Sequence, residues 1–316
     1  MTWQLVLSGF LIGTLVGLTG MGGGSLMTPL LVLVFGFKPT VAIGTDIAHG
    51  ALFKTVGAIR HRQLGNVQAR LSGWMFLGSA PTSLLGVALA AWLGHRYGDS
   101  VENVTGRVLG AALVFGGLGL FAKNLFRPAV AGGLARMTNR DRVAAILIGL
   151  FGGFIVGLTS VGSGTFFGLT MLILFPLGAQ KMVGTDIFHA AALLYVAGAG
   201  HLVAGNVDLG VVGWLLVGSI PGVILGSQWS IRLPEAVLRV ALATMLMLAG
   251  VKLLAPPGAT VGVAVTVGVG LAVMLAYGLV RRRAAAEAPP PPTKLGRRLR
   301  GRLGLGSHAV VAARDR

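Results

Sequence analysis

Two aspartates lie inside apolar segments of this chain, and each is followed three residues later by a histidine. The pairs are Asp46 with His49 and Asp186 with His189. Positions i and i+3 share a helix face, so each pair would present a carboxylate beside an imidazole. Ionisable groups at membrane depth are costly and usually mark a substrate path or a proton relay, and histidine titrates near physiological pH. The pairs therefore predict proton-coupling residues; the alternative is a structural Asp–His hydrogen bond or a helix N-cap at Thr45 or Asp46.

Two glycine-rich turns precede short apolar segments and form a second candidate site. Glycine lets the backbone bend tightly and approach a ligand. A helix that starts at such a turn directs free N–H groups and its positive dipole end toward the turn, which favours an anion. Close packing of small residues is the alternative. The predicted substrate-binding residues are Gly22, Gly23, Gly24 and Ser25 in the first turn, Gly162, Ser163, Gly164 and Thr165 in the second, and Thr45 and Thr185 beside the aspartates.

Other chemistries have little support in the sequence. The chain has no cysteine, which excludes thiol catalysis, disulfides and cysteine-ligated metals. We find no P-loop, no Ser/His/Asp arrangement and no recognised metal-ligand spacing. We therefore expect neither enzyme activity nor a cofactor or metal. Lys54 also lies in an apolar segment; it could neutralise Asp46 or an anion, but snorkelling toward the inner surface is the favoured interpretation.

The elements that position these residues are predicted to be membrane helices. Of 316 residues, 54% are hydrophobic and 11% charged, against about 25% charged in soluble domains. The apolar segments at 24–37 and 164–177 reach only about 21 Å at 1.5 Å per residue, and the hydrocarbon core is about 30 Å thick. We expect each to form a re-entrant or broken hairpin with the segment that follows. The net charge of +17 lies largely in a tail and short loops, as in membrane proteins, so we expect no nucleic-acid partner.

An internal repeat with a constant offset of 140 residues organises the chain. When 13–89 is aligned with 153–229 without a gap, 26 of 77 positions are identical. This agreement indicates a duplicated unit. The matching blocks are GLTGMGGG at 17–24 with GLTSVGSG at 157–164, GTDIAH at 44–49 with GTDIFH at 184–189, GNV at 65–67 with GNV at 205–207, and His61 with His201.

Loop charges predict that the two copies are inverted relative to each other. One loop carries Arg60, Arg62 and Arg70, whereas the equivalent positions of the second copy are uncharged. If this loop, the 127–142 linker and the basic residues after 280 lie inside the cell, the N-terminus is outside and the C-terminus cytoplasmic. Equivalent loops then face opposite sides, as in many secondary transporters.

The predicted fold is an all-α polytopic membrane protein with two inverted-topology repeats, short re-entrant or broken helices, and one extra C-terminal transmembrane helix. We expect it in the inner (plasma) membrane, with the N-terminal segment as a first membrane helix rather than a signal peptide. Glycine-rich helices allow a homodimer, although the same glycines could serve internal contacts. The predicted divisions are a first membrane repeat at 1–126, a cytoplasmic linker at 127–142, a second repeat at 143–255, an additional transmembrane helix at 256–283 and a basic, disordered cytoplasmic tail at 284–316.

The order of these motifs resembles that of the sulfite exporter TauE/SafE family, also called the 4-toluene sulfonate uptake permease family. The resemblance covers about residues 3–255 and rests on GLTGMGGGSLMTPLL, the A-x-G-T-D-I block and the later G-N-V and G-S-x-P blocks. It implies a secondary transporter with two related halves for a small sulfur-containing anion such as sulfite or an organosulfonate, with export slightly favoured over import. The alternatives are a cation or metal-ion carrier that uses the Asp–His pairs as ligands, and an intramembrane enzyme.

Overall fold

The computed structural model describes residues 2–19, 24–97, 100–125, 137–162, 164–229 and 235–254. Within these residues the chain forms ten helices, which confirms the all-α prediction for the part of the chain described. The predicted additional helix at 256–283 and the tail at 284–316 lie outside the described residues. The helices are α1 Thr2–Thr19, α2 Gly24–Leu33, α3 Pro39–Gln63, α4 Ala69–Tyr97, α5 Ser100–Leu125, α6 Asn139–Thr159, α7 Phe166–Leu174, α8 Ala179–Val203, α9 Leu209–Trp229 and α10 Glu235–Leu254.

Several helices have the length and composition of membrane spans, so the chain is a multi-pass membrane protein. α3 has 25 residues, enough for about 37 Å at 1.5 Å per residue. Its charged residues make it less apolar than the candidate spans, although it is as long as they are. The five candidate spans in the described residues are Ala69–Leu93, Val101–Leu120, Asn139–Thr159, Gln180–Val203 and Leu209–Gly226.

The 140-residue offset reappears in the helices themselves. α3 and α8 each have 25 residues and begin at equivalent positions, Pro39 and Ala179. α2 and α7 have ten and nine residues, or about 15 Å at 1.5 Å per residue, so both are too short to span, as the apolar pattern predicted. The ten described helices therefore form two sets of five.

The start of α6 is set by a capping box. The Thr138 hydroxyl accepts a hydrogen bond from the Asp141 N–H, and the Asp141 carboxylate accepts one from the Thr138 N–H. These two bonds satisfy donors that a helix end would otherwise leave open. The helix thus begins at Asn139, inside the segment predicted as the 127–142 linker.

Equivalent helices of the two sets pack against each other in opposite directions. In the contact between α3 and α8, a Cβ at Gly57 would lie 3.3 Å from a side-chain carbon of Ile187. A Cβ at Gly50, earlier in α3, would lie 3.0 Å from a carbon of Leu194, later in α8. The two helices therefore run antiparallel. Inverted repeats require this arrangement of equivalent helices, while the membrane side that each loop faces stays a prediction.

Equivalent residues also meet each other directly. The hydroxyl oxygens of Thr55 and Tyr195 are 3.1 Å apart, and these residues are related by the 140-residue offset. In the contact between α5 and α10, a Cβ at Gly110 would lie 2.9 Å from the carbonyl oxygen of its equivalent, Gly250. Self-equivalent contacts of this kind are expected along an approximate two-fold axis between the sets.

Two further helix pairs, α1 with α9 and α4 with α6, join the two sets of helices by close backbone contacts at glycine residues. A Cβ at Gly13 would lie 2.4 Å from the carbonyl oxygen of Ser219. At the equivalent Gly153 it would lie 2.3 Å from the carbonyl oxygen of Ser79. Small residues four apart let helix backbones approach closely in a membrane. Each repeat therefore depends on the other for much of its packing.

Candidate functional site

The carboxylate of Asp46 lies at the junction of the two repeats. It is 1% exposed and accepts hydrogen bonds from the Thr28 hydroxyl of α2 and from the Ser160 hydroxyl, the latter at 2.8 Å. Ser160 follows α6 and opens the second glycine turn. A carboxylate of the first repeat is thus bonded to the turn that was predicted to bind substrate in the second repeat.

The two predicted histidines also reach across to the other repeat. His49 Nε2 lies 2.8 Å from the Ser219 hydroxyl oxygen. His189 Nε2 lies 2.9 Å from the equivalent Ser79. The Nδ1 atoms of both histidines are buried and have no hydrogen-bond partner among the described residues. The structure therefore shows other partners in place of the alternative interpretation, a hydrogen bond between Asp46 and His49.

Lys54 is the basic component of this cluster. Its side chain is 2% exposed and interacts electrostatically with both Asp46 and Asp186. His49 and His189 also lie within its electrostatic reach. The snorkelling interpretation is therefore wrong, because the side chain is buried within the protein and does not reach the surface.

The sequence does mark Lys54 as unusual, although hydropathy alone does not explain why. Lys54 is charged within an apolar segment, and the equivalent residue is Leu194. A charge retained in one copy only indicates a role that the duplication does not share. The direction of the side chain depends on the packing of α3 against α8, which no local pattern reveals.

The two threonines of the G-T-D blocks make structural hydrogen bonds. The Thr45 hydroxyl accepts from the backbone N–H of Asp208 at 3.0 Å. The Thr185 hydroxyl accepts from the N–H of Gln68 at 2.9 Å and donates to the Lys181 carbonyl at 2.6 Å. These bonds hold the starts of α9 and α4 against the opposite repeat. A substrate-binding role for Thr45 and Thr185 stays a prediction.

The G-N-V block of each repeat packs against the G-T-D block of the other repeat. A Cβ at Gly44 would lie 2.2 Å from the carbonyl oxygen of Asn206, and one at Gly184 would lie 2.4 Å from that of Asn66. Only glycine permits so close an approach of the turn. The two blocks that match best between the copies therefore contact each other across the repeats.

The second glycine turn is described more completely than the first. Gly22, Gly23 and Ser163 lie outside the described residues, as does the side chain of Ser25, whereas Gly24 begins α2. Gly162 and Gly164 have φ values of 147° and 84°, a region that favours glycine.

Thr165, the last predicted residue of this turn, is buried, and its hydroxyl has no hydrogen-bond partner among the described residues. Thr165 and Gly162 line a cavity of 420 Å³ between α5, α6 and α7, whose other walls are mainly apolar. A substrate-binding role for this turn stays a prediction.

A second cavity, of 270 Å³, reaches the central charges. It is lined by Lys54, Arg60 and His61 together with apolar residues of α1, α3, α8 and α9.

The described part of the chain contains no group of three or more His, Asp or Glu side chains that could hold a metal ion. The site as a whole combines two carboxylates, two imidazoles and one lysine amine, all buried at the junction of the repeats, and such groups can exchange protons.

Comparison with known proteins finds similarity to membrane transporters. The model of a family described as sulfite exporter TauE/SafE matches residues 5–253. The chain is 36% identical over 258 residues to the probable membrane transporter protein YjnA of Bacillus subtilis (strain 168), which covers 80% of this chain and 100% of that protein. It is 26% identical over 250 residues to the probable membrane transporter protein YdhB of the same organism, covering 79% and 99% of the two chains. No solved structure matches the chain.

Proposed function

The chain belongs to the sulfite exporter TauE/SafE family of membrane transporters, and from this premise we propose that it is a secondary exporter of a small sulfur-containing anion. Sulfite and organosulfonates are the proposed substrates, and protons are the proposed coupling ion. The observation that carries the proposal is the burial of Lys54, which interacts electrostatically with Asp46 of its own repeat and Asp186 of the other. Charges are retained at such depth at considerable cost, usually because transport requires them.

The balance of charge in this cluster supports proton coupling. With both carboxylates ionised and Lys54 protonated, Asp46, Asp186 and Lys54 together carry one net negative charge, a sum that disfavours a bound anion. An anion that takes the place of one carboxylate beside the ammonium leaves that carboxylate without its counter-charge. Such a carboxylate binds a proton more readily. We propose that one proton accompanies each anion and that Asp46 or Asp186 carries it, with His49 and His189 as proton-coupling partners.

The proposed transport cycle uses the repeat architecture. The glycine turns, with Gly162, Gly164 and Thr165 in the second, supply N–H and hydroxyl donors to the anion. One repeat moves against the other to give alternating access from the two sides of the membrane. Ser160, which bonds Asp46 across the repeats, links the proton site to the turn.

A cation carrier is the alternative, because carboxylates bind cations. Lys54 opposes it, since a buried cation that already interacts with both carboxylates repels a second cation. The proposed partners are accordingly a small anion and the lipid bilayer, with a homodimer as the proposed assembly. The proposed location is the inner (plasma) membrane, with the N-terminus outside and the C-terminus cytoplasmic.

The test is flux through the purified protein in liposomes. Labelled sulfite, thiosulfate, an organosulfonate and divalent cations are each supplied with and without a pH gradient. We expect movement of at least one sulfur-containing anion and a change in its rate when the gradient is imposed. Movement of the cations without any of the anions would overturn the proposal.

A further inference from the structure

The cavity of 270 Å³ next to Lys54 has a graded basic wall. Arg60 is exposed, His61 is half-buried and Lys54 is buried, so the wall leads from the surface to the central cluster. No carboxylate is among the described residues that line it. A water molecule takes up about 30 Å³ of liquid, so the cavity has room for a small anion and several waters.

The equivalent region of the second repeat lacks this charge. Lys54 and Arg60 correspond to Leu194 and Gly200. The groove found there, of 790 Å³, is lined by Gly200, Val196 and other uncharged residues. The first region is therefore basic and its counterpart uncharged.

The two regions also differ in how their helix ends meet. In the second repeat, His201 is buried and its Nε2 lies 2.8 Å from the carbonyl oxygen of Gly157. In the first repeat, the equivalent His61 and Gly17 both line the 270 Å³ cavity. The histidine and glycine are thus hydrogen-bonded in the second repeat, whereas in the first repeat their equivalents border an open cavity.

The electrostatics of the open side suit an anion. Positive groups set in an apolar wall act with less screening than on a free surface, which raises the local concentration of anions. An anion that passes Arg60 and His61 reaches Lys54, which interacts electrostatically with Asp46 and Asp186. It then competes with the two carboxylates for the ammonium.

We infer that this cavity is the entrance through which the anion reaches the central charges, with Arg60 and His61 at its mouth and Lys54 at its inner end. The inference rests on the proposed transport of an anion. It adds a one-sided path: the anion enters beside the first repeat while the His201–Gly157 contact closes the equivalent region of the second.

Single cysteines provide the test, because the natural chain has none. Val56 lines the basic cavity, and its equivalent, Val196, lines the uncharged groove. Val56→Cys and Val196→Cys are each labelled with an anionic sulfonatoethyl, a cationic trimethylammonioethyl and a neutral methyl methanethiosulfonate. Relative to the neutral reagent, we expect the anionic-to-cationic rate ratio to be about tenfold higher at Val56→Cys. Ethanesulfonate should slow labelling of Val56→Cys and leave Val196→Cys unchanged.

Arg60→Gln and Arg70→Gln separate a local from a general charge effect. Both arginines are exposed, but only Arg60 lines the cavity among the described residues. We expect Arg60→Gln to lower the anionic labelling rate of Val56→Cys several-fold and to raise KM for sulfite in liposomes, and Arg70→Gln to change neither.

Equal rate ratios at the two cysteines, or equal effects of the two arginine substitutions, would overturn the entrance. Sulfite flux in the unmodified protein would still support the proposed function in that case. Conversely, anionic preference and ethanesulfonate protection at Val56→Cys without flux of any anion would support the anion site and refute transport.

Discussion

Ser160 donates a 2.8 Å hydrogen bond to the carboxylate of Asp46, although 114 residues separate them in the chain. The same carboxylate oxygen accepts from Thr28 of its own repeat. Asp46 is therefore shared by the short helix of one repeat and the glycine turn of the other. A motion of the repeats against each other must either carry this bond along or break it, so the charge of Asp46 and the position of the turn are physically linked.

The charge of Asp46 is expected to be required for coupling. Asp46→Asn keeps the size of the side chain and one carbonyl acceptor but removes the negative charge beside Lys54. We expect the pH-gradient dependence of sulfite flux in liposomes to be lost while the protein remains folded by its thermal unfolding profile. Ser160→Ala, which keeps the charge, should retain the dependence on the gradient. Full, gradient-dependent flux in Asp46→Asn would make this aspartate structural.

Two substitutions at Ser160 separate the effect of its hydrogen bond to Asp46 from the effect of its left-handed backbone conformation. Its φ is 63°, a left-handed conformation that costs a residue with a Cβ about 1–2 kcal/mol. Ser160→Ala and Ser160→Gly both lose the hydrogen bond to Asp46, but glycine adopts this φ without the penalty. We expect the glycine variant to be the more stable of the two by about 1 kcal/mol, measured by denaturant unfolding in detergent. Equal stability would mean that the turn relaxes when the bond is removed.

The close contact of α4 with α6 predicts sharply different effects for two glycine-to-alanine changes. A Cβ at Gly153 would lie 2.3 Å from the carbonyl oxygen of Ser79, whereas one at Gly73 would have no atom within 4 Å. Gly153→Ala should cost about 1–3 kcal/mol, because the helices must move apart. Gly73→Ala is the control and should be neutral or stabilising by about 0.5–1 kcal/mol. Thermal unfolding in detergent measures both, and similar midpoints would contradict the packing described.

The helices themselves could be predicted from sequence because their signals are local. Apolar runs and the 140-residue repeat located α2 and α7 as segments too short to span, and α3 and α8 as the helices that carry the ionisable residues. Hydropathy reports where a helix runs through apolar surroundings. It does not depend on which helices are neighbours.

The partners within the site could not be predicted, because they come from the opposite repeat. Ser160 bonds Asp46, and Ser219 bonds His49 from 170 residues away. The i, i+3 rule placed Asp46 and His49 on one face but could not show that each would bond a residue of another helix. Lys54 was misinterpreted for the same reason: snorkelling is a property of a helix facing lipid, and α3 packs against α8.

The contact between His201 and Gly157 is expected to keep the second repeat closed. His201→Ala leaves the buried carbonyl of Gly157 without this partner, at a cost of about 1–3 kcal/mol. A cysteine at Leu194, which is 2% exposed, should then be labelled faster by a neutral thiol reagent. His61→Ala is the matched control, because His61 borders the open cavity, and it should leave the labelling of Leu194→Cys unchanged. Equal labelling in the two backgrounds would show that His201 does not control access.

The final prediction separates the structural from the transport role of Lys54. Lys54→Leu introduces the residue found at the equivalent position of the second repeat, Leu194, and removes the cation that interacts with Asp46 and Asp186. It should destabilise the protein by about 3–5 kcal/mol, because breaking a buried pair leaves uncompensated charge. Adding Asp46→Asn removes part of that excess charge and should restore much of the stability, as measured by the unfolding midpoint. We expect sulfite flux to stay absent in the double variant, since no ammonium is left to receive the anion; restored flux would mean that Lys54 only balances charge.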